Sequence, residues 1–352
     1  MIIFRTSHRF QLWGDELKNK YRQWAAIIFS TILLSCLILD GQTALQGATD
    51  GVQICIRTII PTLFPDIFLS SLLCSYSLGR QVPLIAALAR RCGVPSGAES
   101  ILLLGFVGGY PVGAKLVTDS YRQGHLSKSS AQRMLGFCSN AGPSFIFGIL
   151  TTQFSNPFAS WLLWLVHILS AVAVGLILPG KERYSSTIAV SSHDRIPSVL
   201  QQSLKSVATI SGWVILFRVL LSFLDRWWLA HLSPVSRVCI IGVLELVNGC
   251  IGLQGISCEA VRWILANCIL AWGGLCVTMQ TASVTANLGL GKYIPGKLLH
   301  VAISGALATP VCYLLYPTQL PYWLLLFPLA TFLVIAIAVI RLHRHKKVVA
   351  IS

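Results

Sequence analysis

The sequence predicts an all-α polytopic membrane protein, with about eight transmembrane helices plus two re-entrant or broken segments in an inverted repeat. Three observations carry that prediction. Of 352 residues, 55% are hydrophobic and only 11% charged, and the mean hydropathy of +0.71 is more apolar than a soluble domain of this length sustains. Apolar runs close to the roughly 20 residues that cross a bilayer recur from Trp24 onward. Two apolar runs are interrupted, one by "GFVGGYPVG" from Gly105 and one by "LELVNGCIGL" from Leu244.

In chain order, spans are predicted at 24–40, 51–76 (interrupted by proline), 132–153, 157–179, 204–224, 261–285, 297–316 and 321–340. The interrupted segments lie at 98–114 and 237–254. The resulting divisions are a basic cytoplasmic N-terminus with the first span (1–50), a first membrane repeat (51–180), a cytoplasmic linker (181–203), a second membrane repeat (204–340) and a basic cytoplasmic tail (341–352). A polar segment precedes the first span and is long for a cleaved signal, so a retained anchor is preferred.

The formal net charge is +15. Its Lys and Arg residues sit at both ends and in short loops, as membrane topology demands, and not along an amphipathic face that would suit nucleic acid. With both interrupted segments returning to the side they came from, both termini are cytoplasmic and 41–50, 154–156 and 317–320 are outer connections without Lys or Arg. Arg226, Arg237 and Arg262 run against this bias. The eleven cysteines never form a C-x-x-C pair and read as small buried hydrophobes.

Internal similarity supports two repeats of opposite orientation. "IRTIIPTLFPDIFLSSLL" from Ile56 resembles "SVATISGWVILFRVLLSF" from Ser206, and "LGFVGGYPVG" from Leu104 resembles "LELVNGCIGL". "LGFCSNAGPSFIFG" from Leu135 resembles "LANCILAWGGLCVT" from Leu265. The three pairs occur in the same order, at places where helices break.

In hydrocarbon an unpaired backbone amide or carbonyl costs several kcal/mol, so a broken helix is tolerated only where protein or a watery cavity covers it. Half-helix ends can then aim their dipoles at a solute or ion. The alternative is that the glycines let neighbouring helices approach closely. Candidate solute contacts are Gly108, Gly109, Tyr110, Pro111 and Gly113 in the first motif, and Asn140, Gly142, Pro143 and Ser144 in "CSNAGPS". Asn248 in the second interrupted segment and Gly273, Gly274, Thr278, Gln280 and Ser283 in "WGGLCVTMQTAS" complete the set. The amides and hydroxyls among them serve equally as interhelical hydrogen bonds.

Charges within spans are costly and therefore informative. Glu245 is the candidate for coupling H⁺ or Na⁺; Asp66 and Arg218 are placed to pair with each other; Lys115 either attracts an anion or snorkels to the inner surface. "GGYPVGAK" lacks the Lys-Ser/Thr ending of a phosphate-binding loop, and no metal cluster or catalytic constellation is visible, so neither an enzyme nor a cofactor is expected.

"TLFPDIFLSSLL", "GFVGGYPVGAKLVTDSYRQGHLSKSSAQRMLGFCSNAGPSFIFG", "LELVNG" and "WGGLCVTMQTAS" resemble the YlbJ-type sporulation integral membrane proteins, which carry the nucleoside-recognition or Gate domain. The resemblance covers most of the chain from about Gly51 to Tyr316. It implies a polytopic protein related to concentrative nucleoside transporters, and a role in spore cortex formation and passage of dipicolinate. The chain departs from the family pattern at Asp66, where an apolar residue is expected, and at Thr278, where a histidine is expected.

The expected function is a permease for a small polar or anionic solute, nucleoside-like or dipicolinate-like. The alternative is a non-transporting scaffold for cortex assembly. The expected partners are the lipid bilayer and the solute, with no nucleic acid; a homo-oligomer is compatible. The expected location is the cell membrane, or the outer forespore membrane in a spore-forming host.

Overall fold

A computed structural model describes residues 23–178, 196–285 and 287–319. Among the described residues all regular structure is helical. The predicted basic N-terminus before residue 23, most of the 181–203 linker, the 321–340 span and the basic tail lie outside the described residues.

Helix α1 (Gln23–Leu39) is apolar and turns Ile27, Ile28, Ile32, Leu34 and Leu39 outward, each more than half exposed, which suits a lipid-facing surface. At its end Asp40 accepts a hydrogen bond from the Thr43 amide at 3.2 Å and so caps α2 (Gly41–Ile54). Helix α2 passes through a π-turn at Cys55–Ile59 into α3 (Ile60–Ser77), giving one apolar rod of 37 residues. Residues 41–50, expected as an outer connection, are therefore the first turns of that rod. Pro61 explains the π-turn: it offers no N–H to the carbonyl of Arg57 and its ring crowds that carbonyl, so the helix widens there. The Thr62 hydroxyl donates to the Thr58 carbonyl at 2.7 Å.

After α4 (Pro83–Arg91), α5 (Glu99–Val107) and α6 (Val112–Arg122) pack on each other across a break at residues 108–111, as the first interrupted segment predicts. The expected span at 132–153 is not one helix. Helix α7 (Lys128–Met134) stops, residues 135–142 are irregular, and α8 (Pro143–Phe145) begins a second piece that continues as a π-turn, Ile146–Leu150. Pro143 forces extended backbone on Gly142, found at φ −78° and ψ 158°. The Asn140 side chain donates to the Phe137 carbonyl at 2.8 Å, giving that carbonyl a partner outside a helix. Helix α9 (Ala159–Ile177) matches its expected span.

The second half repeats the order of long, broken, broken and long elements. Helix α10 (Ile196–Trp227) has 32 residues and begins eight residues before its predicted start at 204. Helices α11 (Pro234–Leu244) and α12 (Leu246–Gly252) are separated at Glu245, whose backbone is extended at φ −147° and ψ 126°. The expected span at 261–285 is split into α13 (Glu259–Trp272) and α14 (Gly274–Val284). Gly273 and Gly274 have φ of 80° and 86°, a conformation open to residues without a Cβ. Helix α15 (Tyr293–Leu315) covers the expected 297–316 span.

Among the described residues five helices are long and apolar enough to cross a membrane: Gly41–Ser77, Ala159–Ile177, Ile196–Trp227, Glu259–Val284 and Tyr293–Leu315. Helix α2 lies along α10, and α15 packs on both α9 and α13. Each of the two main apolar cores draws on both halves. One joins Leu102 and Phe137 to Ile210 and Tyr293; the other joins Tyr110 and Leu163 to Leu246 and Trp263.

Candidate functional site

The four helix breaks meet at the centre of the molecule, because small residues let them touch. In the first half Gly105 and Gly113 press on the Cys138 carbonyl so closely that a Cβ on either would overlap it. A Cβ at Gly142 would stand 2.7 Å from the Val107 carbonyl and 2.9 Å from the Gly109 amide. In the second half Gly249 abuts Gly242, and a Cβ on Gly274 would come within 3.2 Å of the Glu245 backbone. Tyr110 crosses between halves. Its ring lies against Gly273, and its hydroxyl donates to the Leu270 carbonyl at 2.9 Å.

A hollow of about 40 Å³ for the centres of water-sized molecules opens where these breaks converge, room for about three waters. Three of the breaks contribute to its wall, Gly109 and Tyr110 from the first, Ala141 and Gly142 from the second and Glu245 from the third, and helix α14, which follows the fourth, adds Val277 and Gln280. Thr62 of α3 and Ile210 and Val214 of α10 also line it.

Glu245 is the one carboxylate in that wall, and it is 1% exposed. Its Oε1 accepts from the Val247 amide at 3.0 Å, and its Oε2 accepts from both the amide and the Nδ2 of Asn248 at 2.6 Å. The carboxylate therefore caps α12, where the helix dipole favours negative charge. Oε1 keeps capacity for one further donor. Gln280 has only the Cys276 sulfur, at 3.3 Å, as acceptor for its Nε2, so its amide remains available to a ligand.

Of the residues singled out from the sequence, Gly109, Tyr110, Gly142, Ser144, Glu245 and Gln280 border the hollow. Gly108, Gly113, Gly273 and Gly274 shape it by close packing. Pro111 follows a cis peptide bond from Tyr110, and Pro143 opens α8. Asn248 donates from Nδ2 to Glu245 Oε2 at 2.6 Å. Thr278 is buried and spends its hydroxyl on the Gly274 carbonyl at 3.1 Å. Asn140 is fully buried, outside the wall, and its Oδ1 has no protein partner. Ser283 faces away, donating to the Met279 carbonyl and accepting from Trp213 Nε1 at 2.9 Å.

Two charge expectations are corrected. Arg218 pairs with Asp50 at 2.7 Å, because α2 rather than α3 lies beside it, and Asp66 instead accepts from the Ser144 hydroxyl at 2.8 Å. Lys115 is buried and held by Asp119 at 2.5 Å, one helical turn on. The three arginines that ran against the charge bias all have acidic neighbours: Arg226 with Asp40, Arg237 with Asp225 and Arg262 with Glu259.

Sequence reasoning missed Lys297, His167 and His300, all fully or almost fully buried. Lys297 Nζ donates to the Tyr110 hydroxyl at 2.8 Å. For the two histidines the signal was present, since each is an ionisable residue in an apolar run; Lys297 stands at the edge of its expected span. No group of three His, Cys, Asp or Glu side chains suited to a metal ion occurs among the described residues.

The chain is 29% identical over 156 residues to the sporulation integral membrane protein YlbJ of Bacillus subtilis (strain 168), an alignment that covers 43% of this chain and 38% of that protein. The match thus spans well under half the length of that relative. No protein-family model matches the chain, and no solved structure matches it. With its long apolar helices, the chain is an integral membrane protein homologous to a sporulation integral membrane protein.

Proposed function

We propose that this chain is a permease for a small polar or anionic solute, which binds in the central hollow between two inverted repeats. The observation that carries this reading is the convergence of three helix breaks, two from the first half and one from the second, together with the helix that follows the fourth, on one hollow containing a buried carboxylate. Such breaks leave main-chain donors and acceptors for a ligand, and a site between repeats can be opened to either side by rocking one repeat against the other. The shared order of long, broken, broken and long elements in the two halves supports the repeat. In this reading the protein works without a cofactor and performs no catalysis; a proton or Na⁺ is the coupling ion.

The name of the relative supports a role in sporulation, and the resemblance of the motifs supports a dipicolinate-like or nucleoside-like solute. The hollow is small, with about 40 Å³ for the centres of water-sized molecules, so in this reading the solute binds a more open state. The same smallness favours a second reading, a membrane scaffold whose breaks serve helix packing alone.

Flux through proteoliposomes separates the two. Wild-type protein takes up radiolabelled dipicolinate or adenosine, and Gln280→Ala lowers the rate by about tenfold, as loss of a buried polar contact implies, while remaining monodisperse. Absence of flux for both probes favours the scaffold, whereas wild-type flux in the variant removes Gln280 from the solute site.

A further inference from the structure

Lys297 stands where the first two breaks meet α15. Its Nζ donates to the Ser139 carbonyl at 2.5 Å, in the second break, and to the Tyr110 hydroxyl at 2.8 Å, in the first. The ammonium also lies 4.6 Å from the centre of the Tyr110 ring and 5.8 Å from that of Tyr293, within reach of cation–π attraction. Among the described residues no carboxylate lies within ion-pair distance of it. Lys115, also buried, has Asp119; Lys297 has only neutral oxygens and aromatic faces.

The groups around it are also neutral or able to exchange a proton. From the second break comes the Cys138 thiol. From α9 comes His167, whose Nε2 accepts from the Ala141 amide at 3.0 Å, directly in the wall of the hollow. On α15 itself are Tyr293 and His300. The rings of His300 and His167 lie 4.7 Å apart, and the Nδ1 atoms of both have no protein partner. Helix α13 meets this stretch through the Asn267 carbonyl, 3.4 Å from Ser304 Oγ. Its own charged residues are engaged elsewhere, Glu259 with Ser155 and Arg262 with the Gln153 carbonyl.

We propose that Lys297 is a proton-operated latch that ties the first two breaks together and holds the hollow closed. While Nζ carries its third proton, it makes charge-assisted bonds to both breaks, roughly twice as strong as neutral ones. When that proton is given up to solvent, the amine keeps two N–H groups but loses the charge, and both ties weaken together. The Ser139 carbonyl and the Tyr110 hydroxyl then become available, and the breaks can part. The latch gives the permease proposed above a proton-dependent step and rests on that reading for its purpose, but its test uses no transport.

Hydrogen exchange of the purified full chain in nanodiscs, corrected for the chemical exchange rate at each pH, reads the latch directly. Between about pH 6 and about pH 11, a range that passes the reference lysine value, wild-type peptides covering 105–113 and 138–142 gain about tenfold in exchange, as expected when charge-assisted hydrogen bonds become neutral ones. Lys297→Arg, which keeps its charge, stays slow throughout. Lys297→Met is fast throughout; if it fails to fold, wild type and Lys297→Arg decide the matter. A flat wild-type profile, or the same rise in Lys297→Arg, overturns the latch, and neither result bears on whether the protein transports a solute.

Discussion

At Glu245 the chain leaves α11 and starts α12, and the carboxylate that caps the new helix also borders the hollow. Replacing it with Ala removes the cap from two amides and should cost about 1–2 kcal/mol of stability. Glu245→Gln keeps one acceptor oxygen and should cost about half that. Thermal unfolding in detergent measures both, and equal losses would assign the effect to charge instead of capping. This residue was legible in the sequence because a carboxylate in an apolar run beside Asn248 is conspicuous. Lys297 was not, because the predicted span begins at that residue and a lysine at a span's edge reads as interfacial. Its burial comes from α9 and from the two breaks, elements far away in sequence. For the same reason Arg218 was given the wrong partner: only the packing of α2 along α10 brings Asp50 to it.

Helix breaks differ in how plainly a sequence announces them. The breaks near 108–111 and at Glu245 fall in segments already read as interrupted. Those at 135–142 and at Gly273 fall inside expected continuous spans, because a break made largely of apolar and small residues hardly changes the hydropathy of a window that long. The contact that makes the first pair of breaks compact is glycine against carbonyl. Gly113→Ala would drive a methyl into the Cys138 carbonyl and should destabilise the fold by about 3 kcal/mol, the upper end of overpacking costs. Gly212→Ala, in α10 with nothing within 4 Å of the added carbon, should stabilise by about 0.5–1 kcal/mol through helix propensity. Unfolding curves of the two variants in one detergent check the sign as well as the size.

On the scale of the whole molecule, hydropathy located most of the membrane helices but could not say which of them meet. The long, broken, broken, long order in each half follows from local chemistry: Pro143 after Gly142, an extended Glu245, and two left-handed glycines at 273–274. Their convergence on one hollow follows from packing between the halves, with Tyr110 reaching Leu270 and Lys297 reaching back to Tyr110 and Ser139. If that hollow is where the solute sits, filling it must expel the solute without unmaking the fold. Val277 lines the hollow and is 4% exposed, so Val277→Phe places added volume there. Calorimetric titration of the purified protein with dipicolinate and with adenosine is the direct measurement. The account predicts saturable binding of one of these probes by the wild type and a loss of about tenfold or more in Val277→Phe, with both proteins unfolding cooperatively. Unchanged affinity in Val277→Phe, or no binding of either probe to the wild type, would contradict it.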